Sequence, residues 1–262
     1  MTRCDMQAGA QMLNKVPEVT AYFWIVKVLS TTVGETAADL LSVRLGWGLT
    51  ATSAVMTLLF LAVLAWQLKA DRYTPPLYWA TVVLISVVGT LISDNLVDGM
   101  GISLVTTSIA FGICLAAAFG AWYASEKTLS IHTIVTRRRE LFYWLAILFT
   151  FSLGTAAGDL VAERFDMGYL ATGLIFGGVI AAIAFAWFFL GLNGILAFWL
   201  AYILTRPFGA SFGDLLSQPV EYGGMGFGTT ATSLTFLGCI VAIVLYMTLR
   251  KLIDEDEQAL LD

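Results

Sequence analysis

Apolar runs long enough to cross a bilayer alternate with short polar breaks along nearly the whole chain. They fall at about residues 19–39, 48–68, 76–96, 102–123, 141–161, 168–190, 192–215 and 228–249. Eight runs predict eight helices. The odd-numbered runs carry polar residues at helical spacing. In the first, Lys27, Thr31, Glu35 and Asp39 lie four apart and form one stripe beside Trp24. The corresponding stripes are Ser86, Thr90, Asp94 and Asp98 in the third run, and Thr155, Asp159 and Glu163 in the fifth. The seventh has Arg206, Asp214 and Gln218. Charges inside a membrane cost at least ~2.5–3.5 kcal/mol each at the centre, so these faces are predicted to turn towards a bundle interior or a water-filled cavity.

The stripes belong to an internal repeat. A tryptophan is followed by a glycine ten residues on and an aspartate five further: Trp24/Gly34/Asp39, Trp79/Gly89/Asp94, Trp144/Gly154/Asp159 and Trp199/Gly209/Asp214. Thr52, Thr107 and Thr172 follow thirteen residues later, and Thr232 comes late after an insertion around residues 218–224. The units run approximately over 15–72, 73–135, 136–190 and 191–251. Each holds two spans, so all four enter the membrane in one orientation and are related by an axis along its normal, unlike odd-membered inverted repeats. The expected fold is an all-α membrane protein, eight transmembrane helices arranged as four pseudo-symmetric helical hairpins. Tryptophan and aspartate, about 60° and roughly 22 Å apart, share a helix face. The glycines lie off that face, where they suit helix contacts. The tryptophans are expected as interfacial anchors, with a gate or a packing knob around the axis as the alternative, and Pro207 is expected to kink or break the seventh helix.

Composition agrees: 58% of residues are hydrophobic, 13% are charged and mean hydropathy is +0.82, against roughly 25% charged in soluble domains. Ten Lys and Arg lie on the side holding both termini, from Arg3 and Lys15 to Arg250 and Lys251, against Arg44, Arg164 and at most Arg206 opposite. Both termini are therefore expected in the cytoplasm. The first thirteen residues lack a signal-peptide core, Met12 is a candidate start, and the acidic tail 254–262 reads as a solvated end. Cys4, Cys114 and Cys239 suggest no disulfide framework. The single histidine, His132, stands in a loop without Cys or Ser partners, so neither a zinc site nor a hydrolytic triad is indicated, and the chain is expected not to be an enzyme. Arg137–Arg139 is too short a run to point to nucleic acid.

The candidate pathway residues are Glu35, Asp39, Asp94, Asp98, Asp159, Glu163 and Asp214, with Lys27 and Arg206 as charge-compensating groups. Asp39, Asp94, Asp159 and Asp214, at one depth, are the candidate metal ligands. The competing reading makes the aspartates interfacial caps and the two basic groups part of a buried network that fixes packing. Lys27 is expected within salt-bridge reach of an acid at the level of Glu35. The repeat threonines offer neutral oxygens or bond to their own backbone.

The segments KVPEVTAYFWIVKVLSTTVGETAADLLS, YWATVVLISVVGTLISDNL, FYWLAILFTFSLGTAAGDL and LTRPFGASFGDLLSQP resemble a bacterial integral membrane family built of four tandem repeats of unknown function, each with two transmembrane regions and a tryptophan. The resemblance implies an eight-helix protein of the bacterial inner (plasma) membrane and brings no catalytic residue. The expected function is transport or permeation of a small cation, a divalent metal such as Mn²⁺ or Mg²⁺ or one coupled to protons, because hard oxygen ligands dominate. A bound divalent cation is the one cofactor considered; lipid and the cation are the expected partners. The alternatives are a carrier of a small organic or anionic solute, anchored by Lys27 and Arg206, and a membrane scaffold that transports nothing.

Overall fold

The computed structural model describes residues 14–165 and 167–259. The leader with Cys4 and Met12, the side chains of Glu163 and Arg164, and the side chains of the tail beyond Ile253 lie outside what it describes. The described residues form eight α-helices: α1 Ala21–Asp39, α2 Gly48–Lys69, α3 Pro75–Asp94, α4 Leu104–Glu126, α5 Arg137–Asp159, α6 Gly168–Leu190, α7 Gly194–Ser217 and α8 Thr229–Ala259. Seven are long and apolar enough to cross a membrane; α1 is the exception, a 19-residue helix that carries Lys27 and Glu35. The chain is thus a multi-pass helical membrane protein by composition and architecture.

The odd helices make an inner ring, α1 against α3, α3 against α5, α5 against α7, and α7 back against α1. Two sets of contacts show that the ring closes with pseudo-four-fold symmetry. The aromatic residue before each repeat tryptophan packs on the tryptophan of the next repeat: Phe23 on Trp79, Tyr78 on Trp144, Tyr143 on Trp199 and Phe198 on Trp24. The centroid distances are 5.7, 5.5, 6.2 and 5.7 Å. Ten residues on, each repeat glycine faces the residue three before the glycine of the next helix: Gly34 faces Ser86, Gly89 Phe151, Gly154 Arg206 and Gly209 Thr31. A constant register between successive helices requires them to run in the same direction. Trp79, Trp144 and Trp199 are buried and Trp24 half-buried, so they are packing knobs of the ring. The expectation of interfacial anchors fails because each ring lies against an aromatic from its neighbour.

The even helices form an outer layer, and each packs chiefly on the odd helix of the following repeat: α2 on α3, α4 on α5, α6 on α7, and α8 on α1. The units are therefore hairpins in chain order, while packing joins each unit to the next. A physical reason lies in the link between the two helices. After Asp39, Asp94 and Asp159 the chain widens into five-residue π-helical segments, Leu40–Arg44, Asn95–Gly99 and Leu160–Arg164, which carry it sideways before the even helix begins. The fourth repeat lacks this segment; there α7 stays α-helical to Ser217 and the 218–224 insertion follows. The repeat threonines Thr52, Thr107, Thr172 and Thr232 are buried where the outer helices meet the ring, and Thr172 and Thr232 donate to carbonyls four residues back. Helix α7 runs unbroken through Pro207. Thr31 and Thr32 of α1 donate to the Thr205 and Gly209 carbonyls on either side of the proline, bracing the turn that Pro207 weakens.

The segment before α1 crosses the tryptophan end of the ring. Its Lys15 ammonium donates to Glu140 at 2.9 Å and to the Leu68 carbonyl at 3.2 Å, and Gln67 donates to the other Glu140 oxygen at 3.0 Å. Lys15, Gln67 and Glu140 are all buried. Buried charges are tolerated when each is paired and its remaining oxygens are hydrogen-bonded, and this cluster satisfies both carboxylate oxygens.

Candidate functional site

The repeat positions can be followed up the inner ring in steps of four residues. Three residues after each tryptophan come Lys27, Val82, Ile147 and Tyr202; four further on come Thr31, Ser86, Phe151 and Arg206; then Glu35, Thr90, Thr155 and Ala210; then the four aspartates. At each of the first three levels a single repeat supplies a charged residue, Lys27, then Arg206, then Glu35, while the aspartate level is the same in all four.

Arg206 is the centre of the arrangement. It is fully buried. One of its terminal nitrogens donates to Glu35 Oε2 at 2.7 Å and to Thr155 Oγ1 at 2.8 Å, and also bonds Thr90 Oγ1. The other donates to the Thr31 carbonyl at 3.3 Å. The acceptors Glu35, Thr90 and Thr155 stand at the same repeat position on α1, α3 and α5. The fourth occupant, Ala210, is small, and it comes from α7, the helix that supplies the arginine. One guanidinium therefore ties three helices to the fourth, with the fork of donors that suits arginine to this role. The stripes placed Thr90 and Thr155 inward without giving them a role. The signal for one lies in aligning the repeats, which sets them level with Glu35.

Lys27 behaves differently from expectation. Its ammonium is completely buried and makes no hydrogen bond; it lies 3.8 Å from the Phe151 ring centroid and 4.1 Å from that of Tyr202. The expected carboxylate partner on a neighbouring helix is absent because the residues level with Glu35 there are Thr90, Thr155 and Ala210, while Glu35 itself lies two turns further along α1 and is taken by Arg206. Aromatic faces replace it, a contact worth up to about 2 kcal/mol when desolvated. The consequence reverses the usual rule for buried charges. Lys27→Met strands no acid, so the melting temperature of the purified protein should hold or rise; a loss of more than about 2 kcal/mol in a denaturant titration would show a partner for Lys27 after all.

Above Arg206 the four aspartates are half-buried, at the aspartate end of the ring. Asp94 interacts electrostatically with Glu35, Asp39, Asp98 and Asp159, and Asp214 with Glu35, Asp39, Asp159 and Arg206. Gln218 donates to Asp39 Oδ2 at 3.2 Å, and Asp98 is exposed beyond the ring. Of the expected pathway acids, Glu35, Asp39, Asp94, Asp159 and Asp214 thus gather into one acidic collar, with Asp98 exposed beyond it; Glu163 lies outside the described side chains. Among the described residues, no three His, Cys, Asp or Glu side chains are placed to hold a metal ion. The aspartates surround the axis without converging on it, because helices packed 8–10 Å apart separate carboxylates on opposite sides of the ring.

Fold and site together define a four-repeat membrane protein with a charged axis. A family described as Repeat of Unknown Function (DUF347) matches the chain at residues 22–73, 77–128, 142–192 and 197–252. The chain belongs to this family, with all four copies matched. Comparison with curated proteins and with solved structures gave no match.

Proposed function

We propose that this protein is a transporter of a small cation, either a proton or a hard divalent ion such as Mn²⁺ or Mg²⁺. It would sit in the bacterial inner membrane with all eight helices spanning, the tryptophan end and both termini in the cytoplasm, and the aspartates outside. The observation that carries this reading is Glu35, the deepest acid of the collar, held by an arginine delivered from another repeat. The collar concentrates cations. A cation reaching Glu35 competes with Arg206, which keeps Thr90, Thr155 and the Thr31 carbonyl as acceptors when Glu35 is taken from it. Lys27 and Arg206 oppose passage of a cation through a static axis, which favours a carrier that changes conformation over an open channel.

A second reading, transport of a small anion, is favoured by two unpartnered cationic atoms at the axis, Lys27 Nζ and Arg206 Nε. Reconstitution in liposomes separates the two, with Mn²⁺, Mg²⁺ and proton flux measured side by side. Glu35→Gln with Asp39→Asn, or Asp94→Asn with Asp159→Asn, should lower cation flux by an order of magnitude or more in a protein that still folds. Greater sensitivity to Lys27→Met than to these pairs supports the anion carrier. No flux of any species in either direction leaves a scaffold and ends the transport reading. Cysteines placed at 97–101 and 219–224 should react with an impermeant maleimide added to intact cells; protection of both would invert the orientation.

A further inference from the structure

Two apolar clefts open on either side of α7 at the tryptophan end. One, of about 520 Å³, lies between α4 and α7, with walls that include Phe119, Leu196 and Leu200. The other, of about 780 Å³, lies between α6, α7 and α1, with Trp24, Trp187 and Phe198 in its walls. The clefts share Leu129, Asn193 and Ile195, so they meet at the start of α7. They stay open because α6 joins α7 through only Gly191–Asn193, while on another side of the ring α8 packs on both α1 and α3 and fills the corresponding space. The α4–α5 loop crosses where they meet and makes the mouth polar.

We propose that the paired clefts hold one anionic phospholipid, with an acyl chain on each side of α7 and the phosphate at the mouth formed by Lys127, Ser130, His132 and Asn193. Most of the walls belong to α4, α6 and α7, helices apolar enough to span a membrane, and hydrocarbon is the occupant that a bilayer supplies to apolar grooves at that depth. Charge selects the headgroup. Neither cleft is lined by an acidic residue, and Lys127 and His132, one at each cleft, are exposed. Glu126, next to Lys127, is already paired with Arg139 at 2.8 Å, and Arg137 and Arg138 stand exposed at the start of α5. The nearest unpaired acid by sequence, the exposed Glu18, adjoins the Val19–Thr20 rim and leaves the Lys127 side to the phosphate. Asn193 uses Oδ1 to cap Ile195 and Leu196 of α7, leaving its Nδ2–H donors for the ligand. Basic groups beside a membrane span attract anionic lipid at the cytoplasmic leaflet, the side on which the Lys and Arg distribution puts this end.

The site is independent of transport and is tested without flux. Purified full-length protein is stripped of bulk lipid, examined by native mass spectrometry, and melted with phosphatidylglycerol or phosphatidylcholine vesicles. One retained phosphatidylglycerol per chain and a rise in melting temperature of several degrees over phosphatidylcholine are expected. Lys127→Glu with His132→Glu should abolish the preference. Ala184→Trp, at an exposed position, or Gly112→Phe, at a half-buried position where an added Cβ meets nothing within 4 Å, should remove the bound lipid in a protein that still melts cooperatively. Equal response to both lipids, persistence of the adduct in the cleft-filling variants, full stabilisation by inorganic phosphate alone, or a second copy of the chain in place of the lipid would each overturn the proposal.

Discussion

Arg206→Met is expected to lower the unfolding free energy by about 3–5 kcal/mol, the loss typical when one partner of a buried pair is removed and the other is left charged. Glu35 loses its counter-ion, and Thr90, Thr155 and the Thr31 carbonyl lose the group that joins their helices to α7. The size of the effect is checked by denaturant titration in a mild detergent. Adding Glu35→Gln should restore much of the loss, since the stranded charge is then gone. Arg206→Lys should recover only part of it, because an ammonium on a single stem cannot reach acceptors on three helices as the planar fork does. If both variants unfold like the unmodified protein, Arg206 contributes little and the ring is held by its apolar contacts alone.

The second large effect is expected at the glycine contacts. A methyl group at Gly209 would run into the Thr31 hydroxyl, with Thr31 Cβ only 2.8 Å away. At Gly34 it would meet Ser86, with Cβ 2.7 Å away, and at Gly154 it would meet the Arg206 stem and Pro207 Cδ. Overpacking of this kind costs about 1–3 kcal/mol per site, occasionally more, because helix backbones must separate. Gly154→Ala should be the worst of the three, since it also displaces the arginine that organises the axis. Gly112→Ala, where an added Cβ meets nothing within 4 Å, serves as the control and should be neutral or slightly stabilising through helix propensity. Equal melting temperatures for Gly154→Ala and Gly112→Ala would show that the ring is looser than these contacts require.

Much of the architecture was legible in the sequence because symmetry amplifies weak signals. A lone tryptophan, glycine or aspartate in an apolar helix says little, but four at constant spacing identified the ring helices, their inward stripe and the glycines as contact positions. The partners of the two central cations were not legible. Lys27 and Arg206 sit one level apart in the repeat, and spacing alone cannot tell which of them reaches Glu35. That depends on side-chain length and on the small residue at Ala210, both visible only once four helices are in place. The packing of each outer helix on the following repeat was hidden for a similar reason. Hydropathy reports which residues avoid water; it does not report the lateral shift made by the π-helical segments after Asp39, Asp94 and Asp159. The tryptophans misled because interfacial and ring-packing roles have the same composition and differ only in what stands opposite.

The closure of the ring bears on how the protein is made. Helix α1 finds its outer cover in α8 and its counter-charge in α7, so a helix made early depends on two made late. Glu35 and Arg206 are separated by 171 residues. At a ribosomal pace of 5–20 residues per second, the carboxylate waits roughly 9–34 s before its partner emerges. During that interval α1, the one described helix not apolar enough by itself to span a membrane, must be kept near the translocon or another membrane insertion factor, or rest at the interface. A chain truncated before α7 would leave Glu35 without its arginine.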